Sequence, residues 1–467
     1  MKGSTFDRVE TRMAFPQTSS MVFHPVCRLA SIPALCLIVL LASALAAQAR
    51  GLLRDADIEH ALSELATPVL RAAGLSPARV RVLVVNDSSL NAFVINNQAI
   101  FIHYGLIQKA ETPEMLQAVI AHEAAHIANG HIARRMGNMR GAQTLAGLGI
   151  ALAAAAAASG NSQAAGGLAA GISSSALRGF LKHTRAEEAA ADQAAAQFLR
   201  AAGISPTGLL EVHRLFRGQE ALSESRQDPY MRSHPLTRDR IRAAEAYVAA
   251  YGDEAEPNPQ ADYWFARMRG KLSAFTRSPK WTMRRVGEER YKDVRLMREA
   301  VAFHRQSDTT RALRAIDAAI AARGGQDAFY LDLKGQILLE SRRFDAALDA
   351  YMRAARLAPR DPQVLGGLGR AQLAGGRPQA AVETLEAARA RDRADARILR
   401  DLGQAYARVG QTGMASVVTA ERYAVQGRLD DAAIHANRAM GLLPRGSVGW
   451  RRAQDVLVAS QNAANRR

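Results

Sequence analysis

The chain has 467 residues, 48% apolar and 22% charged. That is enough for two or three cores and too well mixed for a disordered polymer. Only 6% are aromatic, so those cores must be built from Ala, Leu, Val and Ile. The formal net charge is +17, carried by 54 Arg and seven Lys. An Arg excess fits codon bias, or an anionic partner such as lipopolysaccharide or a membrane surface. With no dense Lys/Arg cluster interleaved with aromatics, nucleic acid is not expected.

Residues 29–47 read LASIPALCLIVLLASALAA and run into Ala47-Gln48-Ala49, with Arg28 before them. A basic flank, an apolar stretch and an A-x-A end describe a secretory signal peptide cleaved after Ala49. Starting at Met21 gives a leader of more usual length than starting at Met1. An uncleaved membrane anchor is the alternative. Both cysteines, Cys27 and Cys36, lie in this leader. The exported chain is then cysteine-free, without disulfides, thiol nucleophiles or thiolate ligands.

Past the leader, Asp55 is an N-cap candidate. Ile58, Leu62, Leu65, Val69 and Leu70 recur at helical spacing, and Gly74 is a stop. Val80–Val85 reads as a strand. Ala92–Ile95 and Ala99–Ile102 read as a hairpin across Asn96-Asn97, two residues that tolerate positive φ. Thr112 caps a helix with Pro113 at its first position and Glu114 in its first turn, running past Ile127. Residues 141–178 are Ala- and Gly-rich with few large apolar side chains. A membrane span needs ~20 strongly apolar residues, so a lid or surface flap is preferred to a transmembrane hairpin, with peripheral membrane contact the alternative.

From about residue 297 the sequence repeats. Leu331, Leu365 and Leu399 are 34 apart, as are Gly335, Gly369 and Gly403, and Ala347, Ala381 and Ala415. A 34-residue period with small residues at fixed places reads as tetratricopeptide repeats, whose paired helices pack closely over those positions. The expected division is a signal peptide at 1–49 and a separate globular domain at 50–254 with the 141–178 lid. A helical connector at 255–296 and repeats at 297–467 follow.

The chemistry centres on His122-Glu123-Ala124-Ala125-His126, inside the Thr112 helix. Positions i and i+4 share a helix face, so both imidazoles can hold one cation while Glu123 addresses its water. A third ligand is required. His131 does not have metzincin spacing and reads as structural. Glu188 and Asp192, i and i+4 on a second helix beginning near Thr184, offer one carboxylate to the metal and one to orient an imidazole. Taken alone, Ser233-His234-Pro235 is a loop before a helix.

HExxH, the Thr184-Arg185-x-x-Glu188-x-x-Ala191-Asp192 stretch some 60 residues later, and Ser233-His234-Pro235 with Arg240-Ile241 together resemble the CAAX prenyl protease and HtpX peptidase family. The leader, the Asn91-Ala92-Phe93-Val94 strand and the repeats are similar to its exported, repeat-bearing branch. The resemblance spans nearly all of residues 50–467. Thr184 stands where Ser is commoner, and the Ala/Gly-rich lid is unusual.

The resemblance implies a mainly α protein: a gluzincin-type metallopeptidase domain with a small sheet, then an α-helical solenoid. It implies one Zn²⁺ on His122, His126 and Glu188, Glu123 as general base, Asp192 behind the ligands, and His234 near the metal. His234 would be either a latency switch or, with Arg240, an oxyanion stabiliser. Asn91, Ala92, Phe93 and Val94 form the edge for an extended substrate. The implied setting is the periplasm, with misassembled outer-membrane proteins as clients and the barrel-assembly machinery as partner. The rival readings are a non-enzymatic chaperone or scaffold, and an adaptor for lipid or lipopolysaccharide transport.

Overall fold

A computed structural model describes residues 51–134, 184–252 and 255–464. The leader with its cleavage site, and the Ala/Gly-rich 141–178 segment, lie outside these residues. Among the described residues no helix is long and apolar enough to cross a membrane.

A two-residue strand β1 (Leu52–Leu53) precedes helix α1 (Ala56–Ala72). Asp55 caps α1 by accepting from the Ile58 amide at 3.0 Å, and Ile58, Leu62, Leu65, Val69 and Leu70 are all buried. Strands β2 (Arg81–Val85), β3 (Ala92–Asn96) and β4 (Ala99–His103) complete a sheet of order β1-β2-β4-β3. β2 and β4 are parallel, whereas β3 returns antiparallel and forms an edge. Central β4 is buried along its whole length, which is why Ala-Ile-Phe-Ile-His shows no polar alternation. The hairpin turn differs from expectation: neither Asn96 nor Asn97 adopts positive φ. The Asn96 side chain instead accepts from the Gln98 and Ala99 amides, an Asx turn that replaces left-handed backbone.

Short helix α2 (Tyr104–Lys109) leads to α3 (Pro113–Ala128), capped by Thr112. A Cβ at Gly105 would lie 2.1 Å from the Ser88 carbonyl oxygen, so only glycine lets the 86–91 loop approach here. α3 is buried on nearly all sides, packed against α1, α4 (Arg185–Ala201) and α5 (Thr207–Phe216). Helices α6 (Pro229–Ser233) and α7 (Arg238–Tyr251) close this half.

The 255–296 stretch does more than connect. Helix α8 (Pro259–Thr276) places Ala261, Phe265, Met268 and Leu272 in the core of the N-terminal half, while Ala274 enters the repeat core. Helix α9 (Pro279–Arg285) follows. Five helix pairs come next: α10 (Lys292–His304) with α11 (Thr309–Ala322), α12 (Ala328–Glu340) with α13 (Phe344–Leu357), and α14 (Pro362–Ala374) with α15 (Pro378–Arg391). The last are α16 (Ala396–Arg408) with α17 (Thr412–Val425), and α18 (Leu429–Leu442) with α19 (Val448–Ala464). The 34-residue glycines sit where helices touch: a Cβ at Gly335 would meet the Tyr351 ring at 2.7 Å, and one at Gly369 would meet Leu385 at 2.4 Å.

Buried charges join the repeats to the N-terminal half. Arg54, 5% exposed, contacts Glu59 at 2.6 Å, Asp392 at 2.5 Å and Asp395 at 3.2 Å. Arg267 on α8 is fully buried. It bonds both oxygens of Asp327 at 2.6 and 2.7 Å and lies 2.7 Å from Asp57. Part of the repeat surface therefore grips this chain's own first strand and helix.

Candidate metal and catalytic site

The site is assembled from α3, α4 and the α6–α7 turn. On α3, His122 and His126 turn their Nε2 atoms toward each other, 3.1 Å apart. On α4, Thr184 and Glu187 form a capping box at the helix start, which leaves Glu188 and Asp192 on the inward face. Glu188 Oε1 lies 3.3 Å from His126 Nε2, and Oε2 lies 3.4 Å from His122 Nε2. Ser233 Oγ donates to the Pro229 and Tyr230 carbonyls, closing the short helix α6. His234 follows at its C-cap, with Nδ1 at 3.0 Å from Glu188 Oε1 and 3.3 Å from His122 Nε2. One ligand atom from each of His122, His126, Glu188 and His234 falls within 4.8 Å of the others, and all four residues are buried.

Such crowding of lone pairs fits a cation. Both Glu123 oxygens and Glu188 Oε2 are buried without a well-angled hydrogen bond, although Arg240 Nη1 lies 2.8 Å from Oε2. Buried carboxylate oxygens left this way are costly unless something else engages them. Imidazole nitrogens with one carboxylate are a donor set suited to Zn²⁺.

The electrostatics divide the carboxyls by task. Burial pushes the Glu123 carboxyl above its usual range. Burial acts the same way on Glu188, but His234, Arg240 and His122 outweigh it and hold that carboxyl well below the usual range. Asp192 is likewise held low against burial, by Arg240 and His213. Burial opposes charge on His122, yet Glu188 and Asp192 more than offset it and raise the ring to about 10. His126 is driven well below its usual value, chiefly by burial.

The sequence-derived residues come together with one change of emphasis. Asp192 Oδ1 lies 2.9 Å from His122 Nδ1, where the carboxylate accepts the ring N–H. Arg240 spends its guanidinium on Asp192 (2.6 and 2.8 Å), Glu188 and the Pro235 carbonyl at 2.9 Å. The guanidinium thereby braces the Asp192 and Glu188 carboxylates. Asn91, Ala92 and Val94 are buried, Phe93 is half-buried, and the four residues run into and along edge strand β3. The Ala92 carbonyl lies 3.3 Å from His234 Nε2, which is also 3.3 Å from Glu123 Oε1.

Two residues escaped the sequence reading. His213 on α5 places Nε2 3.3 Å from Asp192 Oδ2. Tyr230 lies against the His234 ring, centroids 4.6 Å apart. His131, read as structural, brings Nδ1 to 2.8 Å from His126 Nδ1. The only sequence signal for His213 was a histidine on the apolar side of an amphipathic helix.

Fold and site define a metalloendopeptidase: residues 52–248 match peptidase family M48. Residues 297–362 and 338–405 match tetratricopeptide repeats. Among characterised proteins, the chain is similar to the beta-barrel assembly-enhancing protease of Escherichia coli (strain K12). The two are 24% identical over 412 residues, covering 86% of this chain and 83% of the relative. It is also 29% identical over 182 residues to the metalloprotease LoiP of the same organism, 38% of this chain and 65% of that one. Among solved structures, the crystal structure of MamA aligns with 36% of this chain and 94% of its own at 17% identity, with a TM-score of 0.28.

Proposed function

We propose that the protein is an exported, periplasmic zinc endopeptidase. It would act on misfolded or misassembled outer-membrane proteins, and its repeats would recruit clients or the barrel-assembly machinery. The buried convergence of His122, His126, Glu188 and His234 carries the catalytic part. The relative's name, beta-barrel assembly-enhancing protease, the repeats and the leader support the setting and clients.

In this reading His122, His126 and Glu188 hold the zinc, with His122 aimed by Asp192, and Arg240 and His213 brace Asp192. Bound zinc supplies Lewis acidity and brings a water's pKa toward ~7. Glu123, buried and free of well-angled hydrogen bonds, takes the proton from the attacking water and delivers it to the leaving amine. Its carboxyl, raised by burial, suits a group that must both accept and give a proton. Arg240 is a positioning residue in this scheme.

An extended substrate adds as a strand to the β3 edge through Asn91–Val94. Because strand addition is made through backbone groups, it tolerates many sequences. Its outward Ala92 carbonyl is the one His234 Nε2 faces, while His234 Nδ1 sits among the ligand atoms. His234 thus acts as the latency switch, covering the metal and the substrate edge with one ring. The decisive experiment is zinc analysis beside casein digestion, wild type against Glu123→Gln. Zinc content should match while turnover falls about 10²–10⁴-fold. Unchanged turnover would overturn the assignment.

A further inference from the structure

The two α3 histidines have unlike partners behind them. His122 Nδ1 faces the Asp192 carboxylate at 2.9 Å. His126 Nδ1 faces another imidazole, the buried His131, at 2.8 Å. The chain reaches that arrangement by a local device. Helix α3 ends at Ala128, and Gly130 takes φ +67°, a left-handed turn that L side chains disfavour. Helical turns then resume at 131–134. Five residues of separation thereby become a ring-to-ring contact, with centroids 5.0 Å apart.

Two imidazole nitrogens 2.8 Å apart require one proton between them: two bare lone pairs repel, and two N–H groups collide. His126 Nε2 is the nitrogen that faces His122 Nε2 and Glu188 Oε1. For that nitrogen to offer a lone pair, the His126 proton must sit on Nδ1. His126 then donates and His131 Nδ1 accepts, with the His131 proton on its own Nε2. The reverse arrangement would aim an N–H at the ligand cluster.

We infer that His131 is a positioning residue that fixes the tautomer and ring plane of His126 for metal binding, and that it does not bind the metal itself. A neutral acceptor suits this place. Glu123, Glu188 and Asp192 already put three carboxyl groups in the buried site, and another would add repulsion. The inference rests on His126 being a ligand, as proposed above.

The test uses the full-length zinc protein and a pair of matched variants. Asn places its Oδ1 the same number of bonds from Cα as His Nδ1, so His131→Asn keeps an acceptor. His131→Leu has similar branching and no acceptor. Competition against a chromophoric chelator should show His131→Leu losing about 10–100-fold in zinc affinity, with His131→Asn much closer to wild type. The cobalt-substituted protein should show altered visible bands in the Leu variant only. Equal affinity and unaltered bands in the Leu variant overturn the inference, and so does equal loss in both variants, which would mean packing alone.

A readout independent of variant folding is the ¹⁵N–¹H long-range correlation spectrum of histidine-labelled, zinc-loaded wild type. It should show a protonated Nδ1 on His126 and a protonated Nε2 on His131. A metal-bound His131, or a proton on its Nδ1, overturns the inference. A wild type that takes up no zinc, or a His126→Ala variant that keeps it, removes the underlying ligand reading instead.

Discussion

Replacing Arg54 by Ala tests how the repeats are fixed to the catalytic half. The guanidinium is 5% exposed and touches three carboxylates, two of them on the loop between α15 and α16, more than 330 residues away in sequence. Removing one partner of a buried ion pair costs about 3–5 kcal/mol, because the remaining charge stays buried. Arg81 still reaches Asp392 at 2.8 Å and Glu59 at 2.9 Å, which offsets part of the loss. The expected cost is therefore at the lower end, about 3 kcal/mol, read from urea unfolding of the full-length protein.

Acid unfolding supplies a second readout. Burial favours the neutral form of Asp395, but Arg54 and then Arg397 outweigh it and hold the carboxyl at about 2. A carboxyl depressed in the folded state contributes stability above its unfolded pKa of about 3.9, and that stability disappears as pH falls through the folded value. Wild type should lose this contribution between about pH 4 and pH 2, whereas Arg54→Ala, whose Asp395 is no longer held low by that guanidinium, should lose less stability over the same window. In a double-mutant cycle with Asp395→Asn, the double variant should lose less than the sum of the single losses, by about 1–2 kcal/mol. An Arg54→Ala protein within about 0.5 kcal/mol of wild type, with additive singles, would refute the claim that this contact holds the two halves together.

Glu188→Ala should release zinc, whereas Glu187→Ala should keep it and only weaken the α4 start through loss of the capping box, by about 0.5–2 kcal/mol; metal analysis of both variants checks the register. His234→Ala should raise proteolysis and free the Ala92 carbonyl edge at unchanged zinc content. A fall of about 10²-fold in turnover would instead favour an oxyanion role. Deleting residues 297–467 strips Asp392 and Asp395 from Arg54 and Asp327 from Arg267, so the truncated protein should be markedly less stable in thermal denaturation. It should still retain zinc, because none of the clustered ligands lies in the repeats.

The local grammar of this protein is legible in its sequence because each signal acts over a few residues. Asp55 and Thr112 cap the helices they were expected to cap, the 34-residue glycines sit at helix contacts, and HExxH lies within one helix. The i, i+4 spacing alone puts His122 with His126, and Glu188 with Asp192. A two-residue strand such as β1 carries no periodicity, and the choice between an Asx turn and left-handed backbone at Asn96-Asn97 depends on small local energies, so neither could be read. The remaining decisions belong to contacts between segments far apart in the chain. The turn at Gly130 converts an ordinary histidine into a neighbour of His126. Packing of α7 against α4 commits Arg240 to Asp192 and Glu188. Helix α8 reads as a connector in one dimension, yet it enters both cores, because burial is decided by the surfaces that the rest of the fold presents to it.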